Sequence, residues 1–207
     1  RDPGGAMSSQ TVTVSVTDVP LAIQGLVVAG PVIDGNGLVA EAFTADGISL
    51  GTAPVNADGT FTIDANPDDY DGLVLVRISD ASPGPDYLHE GSGNPEDLTI
   101  DLRAIGVVDD EGVINVNVNL ATEIAVRQLL GDTGGDGAAS AVVLGTATQA
   151  DATAHYSNVL RAFGLSPDID LGAVDPHPVN APGFGDASAE AQALGDLLAI
   201  LAGAEVS

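Results

Sequence analysis

Thirty of the 207 residues are Asp or Glu, against 5 Lys and Arg together, and many of the acids gather in short clusters. Three clusters stand out: Asn66-Pro-Asp68-Asp69-Tyr-Asp71, then Asp80 with Asp86-Tyr-Leu-His89-Glu90, then Asp168-Ile-Asp170 with Asp175 beyond it. Weaker groups stand at Asp109-Asp110-Glu111 and at Asp132 with Asp136. Asp carries a short, hard carboxylate and tolerates turn conformations, so several such oxygens converging in a loop are what calcium requires. The expected ligands are therefore Asp68, Asp69, Asp71, Asp80, Asp86, Glu90, Asp168 and Asp170, with calcium as the cofactor. None of these loops follows the twelve-residue EF-hand pattern, and for each the competing reading is a set of acids that cap turns or face water.

A second set is polar rather than acidic. Asn115, Asn117 and Asn119 alternate just ahead of Thr122-Glu123 and are expected to lie on one strand face. One reading is a solvated strand face. The other is a polar groove at a strand–helix junction, with Asn117, Asn119, Glu123 and Arg127 as the ligand-binding residues. Beyond Arg1 the only cations are Arg77, Arg103, Arg127 and Arg161, since the chain has no Lys. In so acidic a protein they are expected to pair internally, the alternative being that one meets an anionic group such as a peptide carboxylate.

Catalysis has little support. His89-Glu90 is not followed by the second His of a zinc-protease motif, and no G-x-S-x-G elbow occurs. Gly131-Asp-Thr-Gly-Gly-Asp-Gly137 carries two acids and no Lys, the reverse of what a triphosphate needs. Without Trp, the paired acids lack the stacking platforms that sugar subsites use. The chain is expected not to be an enzyme.

Composition narrows the partners. A net charge of −25 repels phosphate backbones and anionic membrane surfaces, so neither nucleic acid nor a membrane is expected. The absence of Cys removes disulfides, thiolate metal sites and a thiol nucleophile. No apolar run approaches the roughly 18–20 residues that span a bilayer. At 44% apolar the composition is that of a folded chain.

The elements that must position these residues follow from patterning. Asp-Gly pairs at Asp34-Gly35, Asp46-Gly47, Asp58-Gly59 and Asp71-Gly72 mark hairpin turns, because Asp-Gly accepts the positive φ angles such turns demand. Strands are expected at Leu38 to Ala45, Ile48 to Val55, Thr60 to Asp64, Leu73 to Ser79, Leu98 to Val108 and Val113 to Val118. After Asn119 the pattern turns helical: Ala121 to Leu130, Gln149 to Phe163 after a Thr148-x-x-Asp151 capping box, and about Ala187 to Ala202. Ser166 to Gly185, with four Pro, reads as stiff irregular chain. The helices are too short and few to bury a core alone and are expected to pack on the sandwich. The fold class expected is α+β, an Ig-like β-sandwich with a helical subdomain packed against it. The domain reading is 1–20 as remnant and linker, 21–118 as sandwich, and 119–207 as helical segment, with one cooperative unit as the alternative for the last two. Residues 1–7 read as a vector or protease-site remnant, and Thr11 to Thr17 as the last strand of a preceding domain, so the chain is read as a fragment.

Several of these segments, in this order, resemble modules of large bacterial surface adhesins of the secreted, calcium-dependent RTX type. They are Asp58-Gly-Thr-Phe-Thr-Ile63, Gly72-Leu-Val-Leu-Val-Arg77, Asp86-Tyr-Leu-His-Glu90, Leu102-Arg-Ala104 and Val116-Asn-Val-Asn-Leu-Ala-Thr-Glu-Ile-Ala125. Asn158 to Leu165, Asp168-Ile-Asp170 and Leu194 to Ala199 continue the pattern, so the resemblance spans roughly 22–203. Two departures are visible: Leu120-Ala121 stands where those modules carry Pro-Leu, and His89 stands where an acid is common. The resemblance implies an Ig-like or transthyretin-like sandwich, secretion to the bacterial cell surface, and calcium in place of disulfides as the rigidifying element. It also implies a monomeric calcium-dependent module that binds a protein or peptide on a target cell or in a biofilm. A glycan-binding module and a structural spacer between neighbouring domains of the same chain are the alternatives.

Overall fold

The computed structural model describes residues 20–67, 70–90, 92–108, 112–131, 141–179 and 181–205. Ten strands and three α-helices occur among them: β1 (Ala22–Val28), β2 (Leu38–Thr44), β3 (Ser49–Pro54), β4 (Thr60–Asp64), β5 (Gly72–Asp80), β6 (Tyr87–Leu88), β7 (Pro95–Glu96), β8 (Leu102–Val108), β9 (Val113–Asn115) and β10 (Val118–Asn119), then α1 (Leu120–Leu130), α2 (Gln149–Ala162) and α3 (Ala189–Glu205). The fold is α+β.

One sheet runs β3-β2-β5-β8, all antiparallel. The other centres on β1, with β4 antiparallel on one side and β9 and β10 parallel on the other. Their inner faces close over a common core that includes Ile23, Phe61, Ile63, Val74, Val76, Ile78, Leu102 and Ala104. The central strand β5 is buried on both faces. Its Val74, Val76 and Ile78 look into the sandwich, while Leu73 and Leu75 join Ile105, Val126 of α1 and Ala152 of α2 on the other side. A third cluster holds the helices together, with Ala125, Val159, Leu160, Leu194, Leu197 and Leu198 around Val28 and Leu171. The helical layer thus shares its apolar contacts with both sheets, each buried Leu contributing about 1.5–3 kcal/mol. No helix among the described residues is long and apolar enough to cross a membrane.

The segment expected as one strand from Val113 to Val118 is broken in two. Val116 N–H still donates to Gln24 O (2.8 Å), but Leu26 N–H donates to the side-chain Oδ1 of Asn117 (2.9 Å) where a ladder carbonyl would stand. Gly25 permits the break, since a Cβ there would fall 2.1 Å from Val116 O. The alternation stops at that point, and residues 116–119 are buried without interruption between sheet and helices. Asn115, Asn117 and Asn119 therefore do not share a face: Asn115 is exposed and the other two are buried. The strand expected over 98–108 begins only at Leu102, because residues 86–97 first fold into the small β6–β7 hairpin.

The ends of the helices follow local chemistry. Asn119 caps α1 by accepting from Thr122 N–H (3.0 Å), and Thr122 Oγ1 accepts from Asn119 N–H (2.9 Å) in return. Thr148 and Asp151 form the same reciprocal box at α2, the arrangement that satisfies orphan donors at a helix start.

Candidate cation site and the adjoining cleft

Three carboxylates from separate parts of the chain meet at one end of the sandwich. Asp80 closes β5, Asp86 precedes β6, and Asp97 follows β7. The β6–β7 hairpin sets Tyr87 against Glu96, and Asp86 N–H donates to Glu96 O (2.8 Å), so the two flanking acids come side by side. One oxygen of each of Asp80, Asp86 and Asp97 lies within 4.8 Å of the others.

Asp86 is the fixed member. It is fully buried, with Oδ1 accepting Gly37 N–H (2.9 Å) and Oδ2 accepting Leu98 N–H (2.9 Å). Each carboxylate oxygen has a second lone pair, which leaves Asp86 able to face a cation as well. Asp80 Oδ1 accepts Ser82 N–H (2.8 Å). Gly37 keeps the space clear, because a Cβ there would fall 2.6 Å from Asp80 Oδ1 and 2.2 Å from Ser82 Oγ. Local desolvation, then the charges of Asp80 and Asp86, hold the Asp97 carboxyl above the usual carboxylate range. The cluster concentrates more negative charge than its surroundings offset, and a proton or a metal ion would relieve it. A calcium ion takes six to eight oxygens, so backbone carbonyls or water would complete this set.

The cluster borders a cleft of about 530 Å³ whose wall includes Asp97. Glu96, His89, Thr99 and Tyr87 contribute polar groups, and Ala29, Leu98, Ile100, Leu120 and Ala202 contribute apolar surface. His89 is buried, and its Nδ1 accepts Ser92 N–H (3.1 Å). The ring proton therefore sits on Nε2, which donates to Ala202 O (3.2 Å) near the end of α3. The hairpin turn and the last helix are tied across the cleft.

Of the residues named from sequence, Asp80 and Asp86 belong to this cluster. Asp71 is exposed beside β5, and Asp168 and Asp170 lie on exposed turns, where Asp170 Oδ1 accepts Gly172 N–H (3.1 Å). Asp68 and Asp69 lie outside the described residues, as do Asp109 to Glu111, Asp132 and Asp136. Glu90 is buried apart from the three Asp, next to His89. Asp97 escaped the sequence reading. Its signal was Ser92-Gly93-Asn94, where Gly93 N–H donates to His89 O (2.8 Å) and His89 N–H to Asn94 O (2.9 Å), a turn that returns Asp97 to Asp86.

The four residues named for a ligand groove have internal partners. Asn117 accepts from Leu26 N–H and donates through Nδ2 to Asp175 Oδ1 (2.8 Å). Asn119 caps α1. Glu123 receives Arg103 through two hydrogen bonds of 2.9 and 2.7 Å, and Arg127 Nε through a third of 2.6 Å. Arg77 pairs with Glu41 at 2.8 Å.

Burial pushes the Glu90 carboxyl up to about 7, and only a charged His89 would pull it the other way. Unfolded, the same group would titrate near 4.5. Between those values the folded state holds a proton the unfolded state has lost, so Glu90 subtracts stability as pH rises from about 4.5 to 7. Denaturation midpoints measured across that window should fall more steeply in the parent than in Glu90→Gln, by at most about 1.4 kcal/mol per pH unit. Identical slopes would show that Glu90 titrates normally.

No protein-family model matches the chain, and no curated protein matches it. Among solved structures, a 5-hydroxyisourate hydrolase from Klebsiella pneumoniae is similar over 47% of this chain and 86% of its own, at 11% identity and a TM-score of 0.30. A likeness that distant says nothing of what this chain does.

Proposed function

We propose that the chain is a calcium-dependent, non-catalytic binding module of a bacterial surface adhesin, built on an Ig-like or transthyretin-like sandwich. In this reading calcium is held by Asp80, Asp86 and Asp97, and the cleft beside Asp97 meets a protein or peptide on another cell or in a biofilm. The carrying observation is the meeting of three carboxylates, one fully buried, at the mouth of a cleft. Secretion to the cell surface belongs to the same reading, in which calcium takes the rigidifying role that disulfides have in other secreted proteins. A second reading, a spacer that positions neighbouring domains, is favoured by the internal bonding of Asn117, Asn119, Glu123 and Arg127.

Calcium titrated calorimetrically into chelator-stripped protein should give a saturable heat. At a hundredfold excess over Kd, calcium should add about 2.7 kcal/mol of stability, a rise of roughly 5–10 °C in melting temperature for a domain of this size. Sodium chloride at matched ionic strength should give less. Asp97→Asn, at an exposed position, should weaken the calcium heat at least about tenfold without unfolding the protein. No heat, or equal shifts from the two salts, would return the acids to general salt adaptation.

A further inference from the structure

The cleft is chemically two-sided. Leu98, Ile100, Leu120 and Ala202 supply apolar wall, and Ile100 is 37% exposed. Glu96 and Asp97 supply a carboxylate wall, and both are exposed. Of the residues lining the cleft, His89 alone is basic, and both its ring nitrogens are already engaged. A divalent ion at the three Asp would balance two of their charges, leaving one, with Glu96, facing the cleft. A carboxylate-bearing ligand would meet that excess as repulsion.

We propose that this cleft receives an arginine or lysine side chain of a partner protein, with its methylene stem along Leu98, Ile100, Leu120 and Ala202 and its cationic end at Glu96 and Asp97. Long basic side chains pair an apolar stem with a charged head, the same pairing the cleft presents in complementary form. Its volume of about 530 Å³ accommodates such a side chain with one apolar neighbour. The partner segment is thus basic with a flanking aliphatic residue, and its charge complements a protein of net −25. This inference rests on the cleft being the ligand surface of the proposed module.

The test is titration of the whole chain with N-acetyl-Leu-Arg-Leu-amide, followed by amide chemical shifts at about 0.15 M salt, where long-range attraction is screened. The expected result is saturable shifts at Tyr87, Leu98 to Ile100 and Ala202. Binding should fall at least about tenfold for the citrulline analogue, which keeps the shape without the charge. It should fall by a similar factor in a variant carrying Glu96→Gln with Asp97→Asn, and less in Ile100→Ser. Shifts spread over the acidic surface, or binding that survives the double substitution, would overturn the proposal in favour of unspecific attraction. Equal binding of the arginine and citrulline peptides would overturn it as well. Running each titration with calcium and with chelator separates the two readings. A calcium heat without arginine-peptide binding removes this inference alone. Arginine-peptide binding at these amides without any calcium heat removes only the calcium site.

Discussion

Replacing Glu123 by alanine should cost about 3–5 kcal/mol, the expected loss when one partner of a buried ion pair is removed. Arg103 is fully buried on β8, and Glu123 of α1 meets it with both carboxylate oxygens. Arg103 also donates to Ala141 O at 2.8 Å, a neutral carbonyl, and the half-buried Asp101 feels its charge without taking the place of the two-oxygen Glu123 contact. Arg127, on the exposed side of Glu123, should matter little by comparison, because a partly solvated pair of this kind contributes only about 0.3–1 kcal/mol. Against a typical total stability of 5–15 kcal/mol, the Glu123 loss is large enough to read directly from urea denaturation. Glu123→Leu combined with Arg103→Met should recover most of it, since the pair's desolvation cost disappears along with its attraction. A single-variant loss below about 1 kcal/mol would mean that water reaches Arg103 and that the sheet–helix contact is looser than described.

That pair also shows how far sequence reasoning reaches. Internal pairing of the arginines was expected from their scarcity, and Arg77, Arg103 and Arg127 do pair with Glu41 or Glu123. Which acid meets which arginine depends on α1 packing over β8, and no local pattern encodes that contact. The strands β2 to β5 were legible because Asp-Gly turns separate them and β-branched residues fill them. The capping boxes at α2 and the glycine end of α1 were legible for the same local reason. β9 and β10 were misread as one strand, because the break arises from Gly25 meeting Val116 across a parallel pairing 91 residues distant in sequence.

The cation site divides in the same way. Asp80 and Asp86 drew attention as acids near turns, which is a local signal. Asp97 needed the β6–β7 hairpin to be recognised, and that hairpin has only two residues per strand, too short for any alternation to register. Conversely, Asp168 and Asp170 carry the same local signal as Asp80 but sit on exposed turns with no third acid beside them among the described residues. Acid spacing therefore overcounts sites, and convergence from separate strands is what selects among them.

Tyr156→Phe should produce the second large loss, about 2–4 kcal/mol, by stripping a strand edge of its only side-chain cap among the described residues. β8 ends its sheet, and Ile105 turns its backbone groups away from β5. The Tyr156 hydroxyl accepts from Ile105 N–H at 2.6 Å and donates to Ile105 O at 2.9 Å, standing in for a neighbouring strand. Burial raises this hydroxyl above its ordinary titration range, so it stays a neutral donor and acceptor throughout the physiological range. Phenylalanine keeps the ring packed against the two apolar clusters that Tyr156 borders but leaves one donor and one acceptor without partners, each worth about 1–3 kcal/mol when buried. The edge lies beside a cleft of about 350 Å³ that opens between β8 and β9. If water fills that cleft and rebonds Ile105, the loss should fall below about 1 kcal/mol, and urea denaturation separates the two cases. The edge itself gives an independent readout. An uncapped strand end is a template for pairing with another chain, so Tyr156→Phe should associate in a concentration-dependent manner by light scattering where the parent does not. A variant that is both stable and monodisperse would show that α2 covers β8 by packing alone, with the hydroxyl incidental.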